Sequence, residues 1–232
     1  MKNKKILIFT ILLCSINIFA NDGGLYDFKW LDDGEKVYVI QNKEHVKAKS
    51  IGIDLSLSDS DSSPYQDTSG LMLTTTYYFS EKWSMDFTYK KYNNKNSADF
   101  ENLINAYDKE VKPLVRKIDS AMLIHLNWIP FYGKINTFNR IFFFDWGVGL
   151  GYGQFETQGN WKTFLVKNKT FTFEKEVDSG INFRSFVKFF TRSGMTFGFE
   201  YNLSGVETIK DQNGKKEVMY YTDIIGSIGY LF

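Results

Sequence analysis

Cysteine is almost absent: one residue in 232, Cys14. It falls in the N-terminal stretch, where it could be a lipoprotein cysteine, although Leu13 before it is bulky where a small residue is expected. If it leaves with a signal peptide, the mature chain has no disulfide and no cysteine metal ligand. Histidine is scarce too, with His45 and His125 only. A metal site would need them to converge with carboxylates, and nothing in the spacing brings them together, so no metal and no cofactor is expected. Neither sign of charge is in excess, with 28 Lys and Arg against 27 Asp and Glu. A net charge of +1 gives no reason to expect a nucleic-acid partner. After the N-terminus there is no long apolar run, which excludes helical membrane spans.

Aromatic residues, by contrast, make up 18% of the chain, while mean hydropathy is only −0.29. An element with one apolar and one polar face reconciles the two values, because the faces cancel in the average.

The first segment, 1–20, has the three parts of a secretory signal. Lys2, Lys4 and Lys5 are charged, Ile6 to Ile18 is apolar, and Ala20 offers a small residue for cleavage. The apolar part is too short to span a bilayer, which takes about 20 residues as a helix. Residues 21–48 read as a polar leader, with Val37 to Ile40 as an open candidate for an extra strand.

From Ser50 onward the period is two. Ile51, Ile53, Leu55 and Leu57 share one face, with Gly52, Asp54 and Ser56 on the other. The same pattern recurs around Leu71 to Phe79, Trp83 to Lys90, Ala121 to Trp128, Phe142 to Gly153, Ile181 to Phe189 and Met195 to Ser204. An eighth such stretch, Met219 to Phe232, closes the chain. Eight strands over 49–232 predict an all-β, antiparallel, up-and-down barrel. Its apolar outer face would carry Trp83, Trp128 and Trp146, and its inner face mostly Ser, Thr, Gly and Asn. A soluble barrel has the same period with the faces reversed. The few lysines on the polar face and the Trp, Tyr and Phe on the apolar one favour a transmembrane barrel. In that setting Tyr230 and the terminal Phe232 read as an assembly signal.

Connections are expected to be tight at Ser80 to Lys82 and Thr191 to Gly194 and intermediate at Pro130 to Arg140. They are expected to be long at Ser58 to Thr68, Asn93 to Asp119, Glu156 to Ser179 and Gly205 to Val218. Within one long connection, 98–118, the apolar residues Phe100, Leu103, Ile104, Tyr107, Val111, Leu114, Val115 and Ile118 fit one stripe of a helix. Pro113 would kink or split it.

Several of these stretches resemble the outer membrane beta-barrel domain family of myxobacteria and predatory relatives. They are Val37-Tyr-Val-Ile-Gln-Asn42, Trp128-Ile-Pro-Phe-Tyr-Gly-Lys134 and the Gly-rich Phe144-Asp-Trp-Gly-Val-Gly-Leu-Gly151. The likeness covers nearly all the mature chain. It implies a small barrel in the outer membrane of a Gram-negative cell, in contact with lipid and inserted by the barrel assembly machinery. It carries no defined activity.

The chemistry-bearing residues of the inner face are Asp54, Asp86, Lys90, His125, Asp145, Arg184, Lys188, Glu200 and Asp223. They could line an ion path. In a lumen of eight strands, wide enough only for side chains, they should instead pair and fill it. Asp59, Asp61 and Asp67 would form a solvated acidic loop, their spacing matching no calcium loop. A lipid-modifying enzyme would need a nucleophile and base at the rim, whereas His125 lies mid-strand and inward. The expected role is therefore structural, surface recognition or adhesion. A narrow channel is the alternative and an enzyme the third reading.

Overall fold

The computed structural model describes residues 46–106, 113–137, 140–160, 173–191, 193–209 and 216–232. The signal, most of the leader including Val37 to Ile40, and His45 lie outside these residues. Eight strands follow one another: β1 (Ile51–Ser63), β2 (Gln66–Tyr78), β3 (Trp83–Asn96), β4 (Arg116–Thr137), β5 (Arg140–Gly159), β6 (Glu174–Phe190), β7 (Met195–Ile209) and β8 (Lys216–Leu231). Each pairs antiparallel with its chain neighbour, and β8 pairs with β1, giving a closed barrel. Closure reaches the last residue. The Phe232 amide donates to the Ile51 carbonyl at 2.8 Å, and the Ile51 amide donates back to the Phe232 carbonyl at 3.3 Å.

The alternation holds along the wall. In β1 exposed and buried residues alternate from Ile51 to Ser62. Ile53, Leu73, Phe87, Ile124, Leu126, Leu150, Phe183, Phe199 and Ile228 all point outward and are exposed. Their partners in the alternation, such as Asp54, Thr74, Asp86, His125 and Asn127, are buried inside. Aromatics gather at the barrel end where β1 begins and β8 ends: Tyr77, Phe79, Trp83, Trp128, Phe131, Trp146, Tyr230 and Phe232 are exposed there. Leu71 to Phe79 covers the roughly 9–11 residues that a tilted strand needs to cross a bilayer. A closed wall, an apolar belt outside and a polar interior define a transmembrane β-barrel, since an apolar belt of this extent has no place in water. The soluble alternative, which needs the apolar face inside, is thereby set aside.

The strands run further than expected. Ser58 to Thr68, expected as a loop, is ladder: Ser58 pairs with Gly70 and Ser60 with Thr68, leaving only Pro64 and Tyr65 between β1 and β2. Asp59, Asp61 and Asp67 therefore stand on strands rather than in a loop. Beyond the belt both faces are polar, so apolar alternation disappears although the pleat continues. For the same reason β5, β6, β7 and β8 extend into stretches expected as loops.

Two further expectations change. The helix is α1 (Ala98–Ala106) alone, capped by Ser97, whose hydroxyl accepts the Phe100 amide at 3.3 Å. Residues 107–112 lie outside the described residues. Arg116 to Ile118 already belong to β4, with Ile118 buried inside the barrel, so they are not the end of a helical stripe. Pro130, expected in a turn, sits within β4 where the β4–β5 ladder skips between Trp128 and Phe131. A residue with no amide hydrogen is tolerated at such a bulge because the ladder makes no demand on it there.

The glycines of β5 lie on the inner face. A Cβ on Gly151 would collide with the His125 ring, and one on Gly153 with the Met122 carbonyl. Gly151→Leu should destabilise the barrel by about 1–3 kcal/mol through overpacking. This would be seen as a lowered temperature for the heat-induced mobility shift on gels.

Candidate functional site

The barrel interior is where the polar chemistry collects, and it is filled. Near the middle of the lumen Asp54 accepts from Lys188 Nζ at 2.7 Å and Thr196 Oγ1 at 3.0 Å. Arg184 reaches two carboxylates at once, Asp86 through Nη1 and Glu200 through Nη2. Its guanidinium also lies 5.0 Å from the centroid of the Phe186 ring. Asp223 accepts from Lys90 Nζ at 2.8 Å, Ser60 Oγ at 2.6 Å and Tyr92 Oη at 3.1 Å. His125 Nε2 pairs with Asn182 Oδ1 at 2.8 Å, and Asn182 donates onward to Ser204 at 2.8 Å. A charge in such an interior is tolerated only with a partner in place.

The nine inner-face residues singled out from the sequence thus fall into separate groups. Asp54 joins Lys188. Asp86 and Glu200 share Arg184. Lys90 joins Asp223. His125 meets neutral Asn182 and no charged side chain within this set. Asp145 stands opposite Lys188 in the β5–β6 register, yet its ion pair is with Lys47.

Lys47 is the residue that sequence reasoning missed. It lies in the stretch read as leader, and it is fully buried. Its ammonium lies 5.4 Å from the Tyr78 ring centroid and 5.6 Å from that of Phe190. Outside, Glu81 in the β2–β3 turn accepts the backbone amides of Lys47 and Ala48 at 2.7 and 2.8 Å. Lys49 follows with φ 67°, the left-handed turn that brings the chain back out to β1. Nothing in the basic run Lys43 to Lys49 marks one lysine above another. The missed partners Asn182, Ser204 and Thr196 were legible as inward positions, and only their bonding was not.

Apolar clusters close both ends of this network. At the end where β1 begins and β8 ends Tyr78, Ile129 and Phe186 pack together, with Leu231 against them. At the far end Tyr92, Ile118, Ala121, Leu123, Phe155, Val206 and Tyr221 form a second cluster. Between them a cavity of about 10 Å³, lined by Asp54, Thr74, Arg184, Lys188 and Glu200 among others, has room for about one water. Above the far cluster Arg116 donates to Thr208 at 2.9 Å across the mouth. Lys216, beyond the belt, donates to Asp178 at 3.1 Å, and that hydrogen bond and charge hold its pKa above the usual lysine value.

No family model matches the chain, and no curated protein matches it. Solved structures of eight-stranded outer-membrane barrels are similar to it. Neisserial surface protein A shares 9% identity over 79% of this chain and 96% of its own, with a TM-score of 0.44. The N-terminal barrel domain of Pseudomonas aeruginosa OprF shares 8% over 80% and 98%, at 0.47. Ail, the attachment invasion locus protein of Yersinia pestis, shares 14% over 79% and 97%, at 0.36.

Proposed function

We propose that this protein is a non-conducting barrel of a Gram-negative outer membrane whose work is done on its outer surfaces, as a structural, surface-recognition or adhesion protein. The observation that carries this reading is the interior: buried ion pairs in the middle and an apolar cluster towards each end. A solute would have to break buried ion pairs and part both clusters. The residues of Trp128 to Lys134 and Phe144 to Gly151 that resemble the outer membrane beta-barrel domain family support the same placement. So does the aromatic girdle ending in Tyr230 and Phe232, rings 4.7 Å apart, as the signal read by the assembly machinery. The reading is non-catalytic. His125 is engaged with Asn182, deep in the lumen and away from either rim.

With the start of β1 and the end of β8 on the periplasmic side, the β1–β2 hairpin and its neighbours project outside the cell. The purified protein in planar bilayers should then show no discrete openings, and reproducible openings would revive the narrow channel. In intact cells, a cysteine at Ser63 should react with a membrane-impermeant maleimide, whereas one at Ser80 should react only after lysis. The opposite pattern would reverse the orientation.

A further inference from the structure

Lys47 stands ahead of β1, and its side chain enters the lumen to reach Asp145 on β5, 98 residues away. Both side chains are buried, at 0% and 1% exposure. The backbone around the lysine is held from several directions. Glu81 accepts the amides of Lys47 and Ala48. The Lys49 amide donates to the Tyr78 carbonyl at 2.7 Å. The Ser50 amide and hydroxyl both donate to the Lys47 carbonyl, at 2.9 and 2.5 Å. The ammonium is thereby delivered to one place, with the Tyr78 and Phe190 rings beside it. Two groups fixed against each other in this way react as though at very high concentration.

An amine and a carboxylic acid can condense to an amide. In water the step is blocked, because the amine is protonated, the acid is ionised and both are hydrated. Burial strips that hydration and penalises the charged forms. One proton passed from the ammonium to the carboxylate leaves a neutral amine against a neutral acid. The nitrogen lone pair then attacks Cγ of Asp145. A C–N bond forms, one C–O bond breaks, a proton from the nitrogen joins the departing hydroxyl, and water leaves. No further reactant is needed. Lys188 stands opposite Asp145 in the β5–β6 ladder, and its ammonium brings positive charge to the side of the oxygen that turns negative in the intermediate. The other lysine–aspartate pairs are set differently. Asp223 also accepts from Ser60 and Tyr92, and Asp54 from Thr196, and these bonds favour the carboxylate over the acid.

We propose that Lys47 Nζ and Asp145 Cγ join in an intramolecular amide bond once the barrel has folded. The bond rivets the segment ahead of β1 to the wall and closes residues 47–145 into one covalent ring. It goes beyond the non-conducting reading and does not depend on it.

The test is the intact mass of the full protein, purified from membranes in its folded form and then denatured. The mass should fall short of that given by its sequence by one water. A digest should contain a branched peptide joining the residues around Lys47 to those around Asp145. Lys47→Arg keeps the positive charge, but a guanidinium does not attack a carboxyl group, so this variant should show the full mass. Asp145→Ala should show it too. Boiled wild type should also run ahead of boiled Lys47→Arg on denaturing gels, because the ring keeps the unfolded chain compact. The heat-induced gel shift checks that each variant folds. If a variant fails to fold, the wild-type mass and the branched peptide decide alone. Full mass in the folded wild type overturns the proposal and leaves a buried ion pair. A deficit that persists in Lys47→Arg, or that comes without the branched peptide, also overturns it and assigns the lost water to a cyclic imide at an aspartate.

Discussion

Arg184→Met should destabilise the barrel by about 3–5 kcal/mol or more, measured by denaturant unfolding in lipid vesicles. The guanidinium is buried and bridges Asp86 on β3 and Glu200 on β7. Removing it leaves two carboxylates facing one another with no cation between them. The penalty is chiefly that of the stranded charges. Removing all three charges together, as Arg184→Met with Asp86→Leu and Glu200→Leu, should therefore recover most of the loss. A single-variant effect below about 1 kcal/mol would mean that the cluster is hydrated like a surface pair, and the filled-lumen reading would fail. Asp223→Ala should behave in the same way on a smaller scale, because it strands Lys90 alone among the charged groups.

An arginine at Leu126 should cost about 2–4 kcal/mol if that side chain meets the bilayer midplane. Leu126 is outward on β4 and 52% exposed, flanked on its face by Ile124 and Trp128. The same change at Asn93, outward on β3 beyond the belt, should stay within about 0.5 kcal/mol. Unfolding in vesicles compares the two directly, and equal tolerance would refute the assignment of the belt. Inner positions do not serve as neutral controls. Asn127 is 1% exposed, donates to Ser84 at 3.0 Å and crowds Gly149, so a lysine there would fail for want of space whatever the solvent outside.

These two substitutions probe different links between sequence and structure. The side of the wall on which Leu126 and Arg184 stand was legible in advance. A strand has a period of two, and a barrel in lipid must separate apolar from polar along that period. The limits of the strands were less legible. Ser58 to Ser62 alternates serine inward with aspartate outward, but both are polar, so the pleat leaves no hydropathy signal there. The stripe from Phe100 to Ile118 misled for a related reason. Buried positions in a strand can mimic helical spacing when two elements join, here α1 and the start of β4.

The eight strands of the described residues, the side of the wall taken by residues of the apolar belt, and closure by the last strand were determined by the sequence alone, because each depends on local alternation. The pairing inside the lumen was decided only by the tertiary structure. Lys90 and Asp223 are 133 residues apart, and Lys188 and Asp54 134. Alternation says that each points inward but not at what height or across from which strand; that comes from the register of all eight ladders together. Asp145 is opposite Lys188 in its own ladder and nevertheless pairs with Lys47, from the stretch ahead of the first strand. Closing the wall brings residues from every strand into one narrow space, and each buried charge then takes the partner within reach across the lumen.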